Sequence, residues 1–171
     1  MQIFVAPYAN PLAGEWTDAA DAVDTYEKVY ARANGGDVGL MDTEVPGTDE
    51  LTQPDVIVAL AEVATERGNV WRAYLQIFSP TFNDDGDVTQ AADDCDERYR
   101  GTFDSDTEFA WEYAEETGML QGWPEQARRY FNAEAFARDL MMEHDWVWQE
   151  GAAALKPRVT EFGARHYFAT Y

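Results

Sequence analysis

The chain has 171 residues, and 33 acids against 12 bases give a formal net charge of −21, a field that repels nucleic acid and anionic membranes and attracts basic grooves. With 46% hydrophobic and 14% aromatic residues it has material for packed cores, so the disorder common to acidic chains is excluded. One cysteine excludes an internal disulfide, and without a signal peptide or an apolar run of about 20 residues the expected compartment is the cytoplasm.

The opening QIFVAPY reads as a strand with Ile3 and Val5 on one face and Phe4 on the other, ended by Pro7 and the turn-rich NPLAG. A helix follows, with Val23, Tyr26, Tyr30 and Ala33 as its stripe and Asn34-Gly35-Gly36 as its stop; Asp21, Asp24 and Glu27 form an exposed acidic set beside it. DVGLMDTEVPG supplies a further strand before Pro46-Gly47, and a helix from Pro54 to Arg67 closes on Gly68.

From Val70 the spacing of Trp71, Tyr74, Leu75 and Phe78 is helical, and Pro80 with the polar FNDDGD loop ends it. The next helix, about Val88 to Tyr99, turns Val88, Ala91, Ala92 and Cys95 inward and leaves Asp93, Asp94, Asp96 and Glu97 to water. Ser105 and Glu108 have capping-box spacing, which predicts a helix from Asp106 to Gly118. Phe109 and Tyr113 face inward on it, and Glu108, Glu112, Glu115 and Glu116 form one stripe about 12 Å long. Trp123-Pro124 starts a short helix with Ala127, Tyr130 and Phe131, Asn132 caps another carrying Phe136 and Leu140, and HDWVWQ and RHYFATY read as strands.

These elements predict an α+β chain of three small domains: residues 1–50, a small antiparallel sheet plus helix; residues 51–100, helical; and residues 101–171, helices plus a second small antiparallel sheet. The tail aromatics Trp146, Trp148, Tyr167 and Tyr171 serve as a sheet core, a dimer interface or a ligand platform.

Enzyme chemistry finds little support. Aligning Gly86 with the invariant sixth position of a calcium loop puts Thr81 first and Ala92 twelfth, where Asp and a bidentate Glu are needed. His144 and His166 are too few for zinc, and no phosphate-binding glycine loop, GxSxG elbow or triad is visible, so no metal, cofactor or catalytic residue is expected. Cys95, on an apolar face beside several acids, is a core residue with a raised pKa.

The acids therefore carry the functional question. Between Asp93 and Glu116, ten of 24 residues are carboxylates and two are arginines, and the net charge is −8 over residues 1–50, −6 over 51–100 and −7 over 101–171. Each like-charge pair at roughly 6 Å costs about 0.7 kcal/mol in water, which folding elsewhere must offset. A folded body covered in carboxylates can offer a basic channel what duplex DNA offers, one charge per about 1.7 Å of axis.

Two segments carry a family resemblance: MQIFVAPYANPLAGEW, and YRGTFDSDTEFAWEYAEETGMLQGWPEQARRYFNAEAFARDL, which closes with Asn132, Phe136, Arg138, Asp139 and Leu140 after Tyr130 and Phe131. In them the chain resembles the ArdA antirestriction proteins of phages, plasmids and conjugative elements. The resemblance implies an elongated, dimeric, three-domain mimic of bent duplex DNA that occupies the DNA groove of type I restriction–modification enzymes, with the dimer contact in the C-terminal domain.

Within the matched segments the expected phosphate surrogates are Glu108, Glu112, Glu115, Glu116, Asp139 and Glu143, to which the exposed stripes add Asp21, Asp24, Glu27, Asp93, Asp94, Asp96, Glu97, Asp104 and Asp106. Two other readings stay open: a DNA mimic aimed at another target, such as a CRISPR effector, a polymerase or a nucleoid protein, and a salt-adapted protein whose acids serve only solvation.

Overall fold

A computed structural model describes residues 1–142, 146–150 and 164–170 of the chain. The described residues form an α+β protein with seven α-helices and two three-stranded antiparallel sheets, and the chain divides into two compact units, Met1–Glu97 and Arg98–Tyr171.

In the first unit, β1 (Gln2–Pro7) is the central strand, flanked by β2 (Glu15–Asp18) and β3 (Val38–Thr43). Ile3 and Val5 are fully buried, whereas Phe4, on the opposite face, packs against Trp16 of β2 with ring centroids 5.3 Å apart. Nothing in the sequence marks β2: EWTD is short, follows a proline turn and alternates only between half-buried and exposed positions, so it carries no buried face of its own. Its pairing with β1, Phe4 opposite Trp16, makes it a strand.

The helix α1 (Ala22–Arg32) has the predicted extent but not the predicted stripe. Ala22, Thr25 and Val29 are its buried residues, while Val23 and Tyr30 are 43% and 54% exposed. Both sets satisfy helical spacing; the smaller one lets the helix lie close to β1, which the tyrosines would hold off.

The helices α2 (Pro54–Arg67), α3 (Asn69–Phe78) and α4 (Asp85–Arg98) follow. Pro54 opens α2, and Gly68, at φ 55°, joins α2 to α3 in a conformation that favours glycine. Trp71 and Tyr74 of α3 stack at 5.4 Å and meet Phe82 and Phe78. Val88, Ala91, Ala92 and Cys95 form the buried face of α4. That helix starts before Val88 because Asp84 Oδ1 accepts from the Asp87 amide at 2.9 Å and Asp87 Oδ2 accepts from the Asn83 amide at 2.7 Å, so the loop tested for calcium is a helix cap.

In the second unit, β6 (Arg165–Ala169) lies between β4 (Tyr99–Phe103) and β5 (Trp146–Glu150). The helical pattern reaches Tyr99, but the structure starts β4 there, and Gly101, at φ 139°, sits at the irregularity where β4 shifts register against β6. Helices α5 (Asp106–Glu116), α6 (Glu125–Arg128) and α7 (Ala133–Met142) complete the unit.

The core of this unit is aromatic. Tyr167, fully buried, stacks on Phe109 with centroids 4.4 Å apart, and Phe103 meets both rings edge-on. Asn132 Oδ1 accepts from the Ala135 amide at 3.0 Å and caps α7, as its position predicts, and Leu140 is buried. Tyr130 is 88% exposed. His166 is buried in β6 beside Thr102, its Nδ1 2.9 Å from the hydroxyl; His144 lies outside the described residues.

Candidate functional surface

The acids singled out from sequence fall into two groups. Asp21, Asp24, Glu27, Asp93, Asp104, Glu112 and Glu116 are exposed, and no ion pair or side-chain hydrogen bond engages their carboxylates among the described residues. Asp21, just before α1, and Asp24 and Glu27 on it follow one another at intervals of three, so successive carboxylates rise on one side of the helix.

The second group is engaged within the fold. Arg67 grips Asp96 with both arms of its fork, Nε to Oδ1 at 2.9 Å and Nη2 to Oδ2 at 2.7 Å. These hydrogen bonds hold the Asp96 carboxyl below its ordinary range and raise the guanidinium. Asp94 accepts from the Tyr74 hydroxyl at 2.8 Å and is half-buried. Glu97 is exposed.

Asp106 is embedded in the second unit. Its Oδ1 accepts from Arg165 Nη1 at 2.8 Å and from the Tyr167 hydroxyl, while the Arg165 guanidinium lies 4.0 Å over the Trp148 ring. Burial first, and then the adjacent Asp106, raise the Tyr167 hydroxyl pKa well above its ordinary value. Tyr167 thus sits inside the core of its own unit, and Trp148 is half-buried against it. The strand β5 begins at Trp146; Glu143 and Tyr171 lie outside the described residues.

On α5 the four-glutamate stripe is unequal. Ser105 Oγ accepts from the Glu108 amide at 3.2 Å, and the Glu108 carboxylate accepts from the Asp104 amide at 2.9 Å, so Glu108 closes the helix start. Glu115 pairs with Arg128 at 3.1 Å. Asp139, exposed on α7, lies 3.8 Å from its neighbour Arg138. Glu112 and Glu116 project without partners among the described residues.

Sequence spacing marks which carboxylates lie outward; it carries no signal for the Arg67–Asp96 or Arg165–Asp106 pairs, whose members are 29 and 59 residues apart. The unit boundary at Glu97/Arg98 also alters the charge map. Although the charge is even by residue number, the first unit holds 20 acids against 4 bases, a net −16, and the second 13 against 8, a net −5.

Among the described residues, no cluster of three or more His, Cys, Asp or Glu side chains is placed to hold a metal ion, and no helix is long and apolar enough to cross a membrane. Cys95 is fully buried, and burial together with Asp96 pushes its thiol up to about 12, where a nucleophilic thiolate is not populated.

The family model described as antirestriction protein (ArdA) matches residues 5–153. No curated protein gives a significant match to the chain.

Proposed function

The chain belongs to the ArdA family of antirestriction proteins, whose partners are restriction–modification enzymes, and from that premise we propose that it inhibits type I enzymes by presenting carboxylates where they expect DNA phosphates. The observation that carries this reading is the set of exposed carboxylates on α1, α4 and α5 that have no internal partner among the described residues, in a chain of net −21. A basic groove that meets them exchanges its counterions as it does on duplex DNA. The protein acts by occupancy rather than catalysis, in the host cytoplasm, and does not itself bind nucleic acid.

Mimicry of this kind is collective. An exposed charge is worth about 0.2–1 kcal/mol, so no single acid is essential and the effect grows with the number that meet Lys or Arg. It is also indifferent to the enzyme's recognition sequence, because phosphate contacts position a duplex without specifying it. The three-domain division expected at residues 50 and 100, and a homodimer formed through the C-terminal domain with Trp146, Trp148 and the chain end, belong to the same proposal; sedimentation at low micromolar concentration tests the dimer.

The deciding experiment is competition between the protein and a labelled duplex for a type I methyltransferase core across a salt series, with duplexes of unrelated sequence as controls. Displacement that is strong at low salt, fades as salt rises and ignores duplex sequence is expected. Failure to displace at low salt, with circular dichroism reporting a folded chain, sinks the reading for type I enzymes. A chain that unfolds at low salt and recovers at high salt favours acids that serve only solvation.

A further inference from the structure

The first unit contains a cavity of about 500 Å³ between α1, the start of β3 and the segment that leads into α2. Its walls include three tyrosines, Tyr8, Tyr26 and Tyr30, and three carboxylates, Glu27, Asp37 and Glu50, and none of its lining residues is basic. Two tyrosines present their rings to solvent, Tyr8 at 44% and Tyr30 at 54% exposure, and the three acids are exposed. This is the face of α1 that the sequence pattern assigned to the core.

The cavity is a built feature. The Tyr8 amide donates to the Asp37 carbonyl at 3.0 Å, and the Tyr8 hydroxyl donates to the Glu50 carbonyl at 3.2 Å, which ties the ring across the opening. The ring lies so close over Gly39 that a Cβ there would overlap it. The turn that receives the hydroxyl is itself fixed, since Asp49 Oδ1 accepts from the Leu51 amide at 2.9 Å and the Thr52 hydroxyl accepts from the Asp49 amide at 2.8 Å. Tyr26 lines the cavity as well, and its hydroxyl is buried with no hydrogen-bond partner among the described residues.

We propose that this pocket takes a guanidinium group, the side chain of an arginine projected by the bound restriction–modification enzyme, and so adds one shaped anchor to an otherwise diffuse charge match. Aromatic faces attract cations, and the guanidinium also stacks on them as an ammonium does not. The three carboxylates supply the countercharge, which the planar fork of a guanidinium meets with paired donors. Arginine is the residue that DNA-binding grooves use most to read phosphates and guanines, so the partner's chemistry fits the pocket. The inference rests on the mimicry reading for its partner but not for its ligand chemistry, which separates the two tests.

The pocket is tested first without any enzyme. Arginine amide is titrated into the full-length protein while the aromatic resonances of Tyr8, Tyr26 and Tyr30 are followed by NMR, with citrulline amide, the neutral isostere, in parallel. Saturable shifts with arginine amide alone are expected, weakened about fivefold or more by Tyr30→Leu, Glu27→Gln or Gly39→Ala, the last acting by displacing Tyr8. No saturable shift, or equal shifts with citrulline amide, overturns the proposal. Tyr30 and Glu27 are exposed, so these two variants keep the fold, which circular dichroism verifies.

The enzyme arm then compares Tyr30→Leu with Asp93→Asn in the duplex competition. A loss for Tyr30→Leu several-fold beyond that of Asp93→Asn, although the former changes no charge, supports the anchor. Equal or smaller loss overturns it. If the wild-type protein fails to displace duplex at all, the mimicry reading fails, and the arginine amide titration alone reports whether the pocket holds a guanidinium.

Discussion

The first unit carries a net charge of −16 around a mainly aliphatic core, whereas the second carries −5 around an aromatic one. In both, some acids are engaged within the fold, as Asp96 is by Arg67, and others are available. At α1, Asp21, Asp24 and Glu27 have no internal partner among the described residues, while in the second unit Asp106 is bound by Arg165 and Tyr167, Glu115 by Arg128, and Glu108 by the start of its own helix. A carboxylate on an outward face is thus not yet available charge; the fold decides how much of it an approaching cation meets. The six arginines held in ion pairs or stacks are consequently as informative about the charge map as the acids themselves.

The sharpest test of the aromatic core is Phe109→Ala, which removes the ring stacked on Tyr167 and costs about 3–5 kcal/mol in denaturant unfolding. A loss below about 1 kcal/mol would show that the second unit does not depend on that stack. Next comes Asp106→Ala, which strands the Tyr167 hydroxyl and the Arg165 guanidinium and is expected to cost about 1–3 kcal/mol. The same change at Asp24, exposed and without partners among the described residues, should stay within about 0.5 kcal/mol. Equal effects at the two sites would erase the distinction between engaged and available acids.

Inhibition should rank in the opposite direction. Neutralising Asp21, Asp24 and Glu27 together is expected to weaken displacement of duplex by about 2–5-fold per charge with the fold intact. On α5, Glu112→Gln with Glu116→Gln should weaken it more than Glu108→Gln with Glu115→Gln, since the latter pair already has internal partners. Identical losses would mean that position along the surface, not availability of charge, governs binding.

The smallest effect expected is at the Arg67–Asp96 pair, whose aspartate side chain is 60% exposed, so its worth is at most about 1 kcal/mol. The folded pKa of Asp96 is depressed, so the pair's contribution is present above the ordinary carboxylate value of about 3.9 and is lost as pH falls through the lower folded value. The stability difference between wild type and Asp96→Asn should accordingly be visible at pH 7 and shrink below about pH 4. A difference that persists at low pH would assign it to packing rather than charge.

The sequence by itself determined what local physics controls. Proline at the start of α2, glycine after it, the Ser105–Glu108 box and the Asn132 cap fix where chain segments become helical, because each satisfies or removes backbone groups within one turn. The acid excess, and the apolar face of α4 with Cys95 in it, were legible for the same reason. Tertiary structure alone decided the rest. The strands β2 and β4 exist only through their partners; α1 chose Ala22, Thr25 and Val29 over its tyrosines because the smaller face packs closer to β1; and Arg67 and Arg165 found Asp96 and Asp106 across 29 and 59 residues. Helical spacing is a property of a few consecutive residues, whereas pairing of charges, edges of sheets and the tyrosine-lined cavity arise where distant segments meet, and nothing in their local sequence records the meeting.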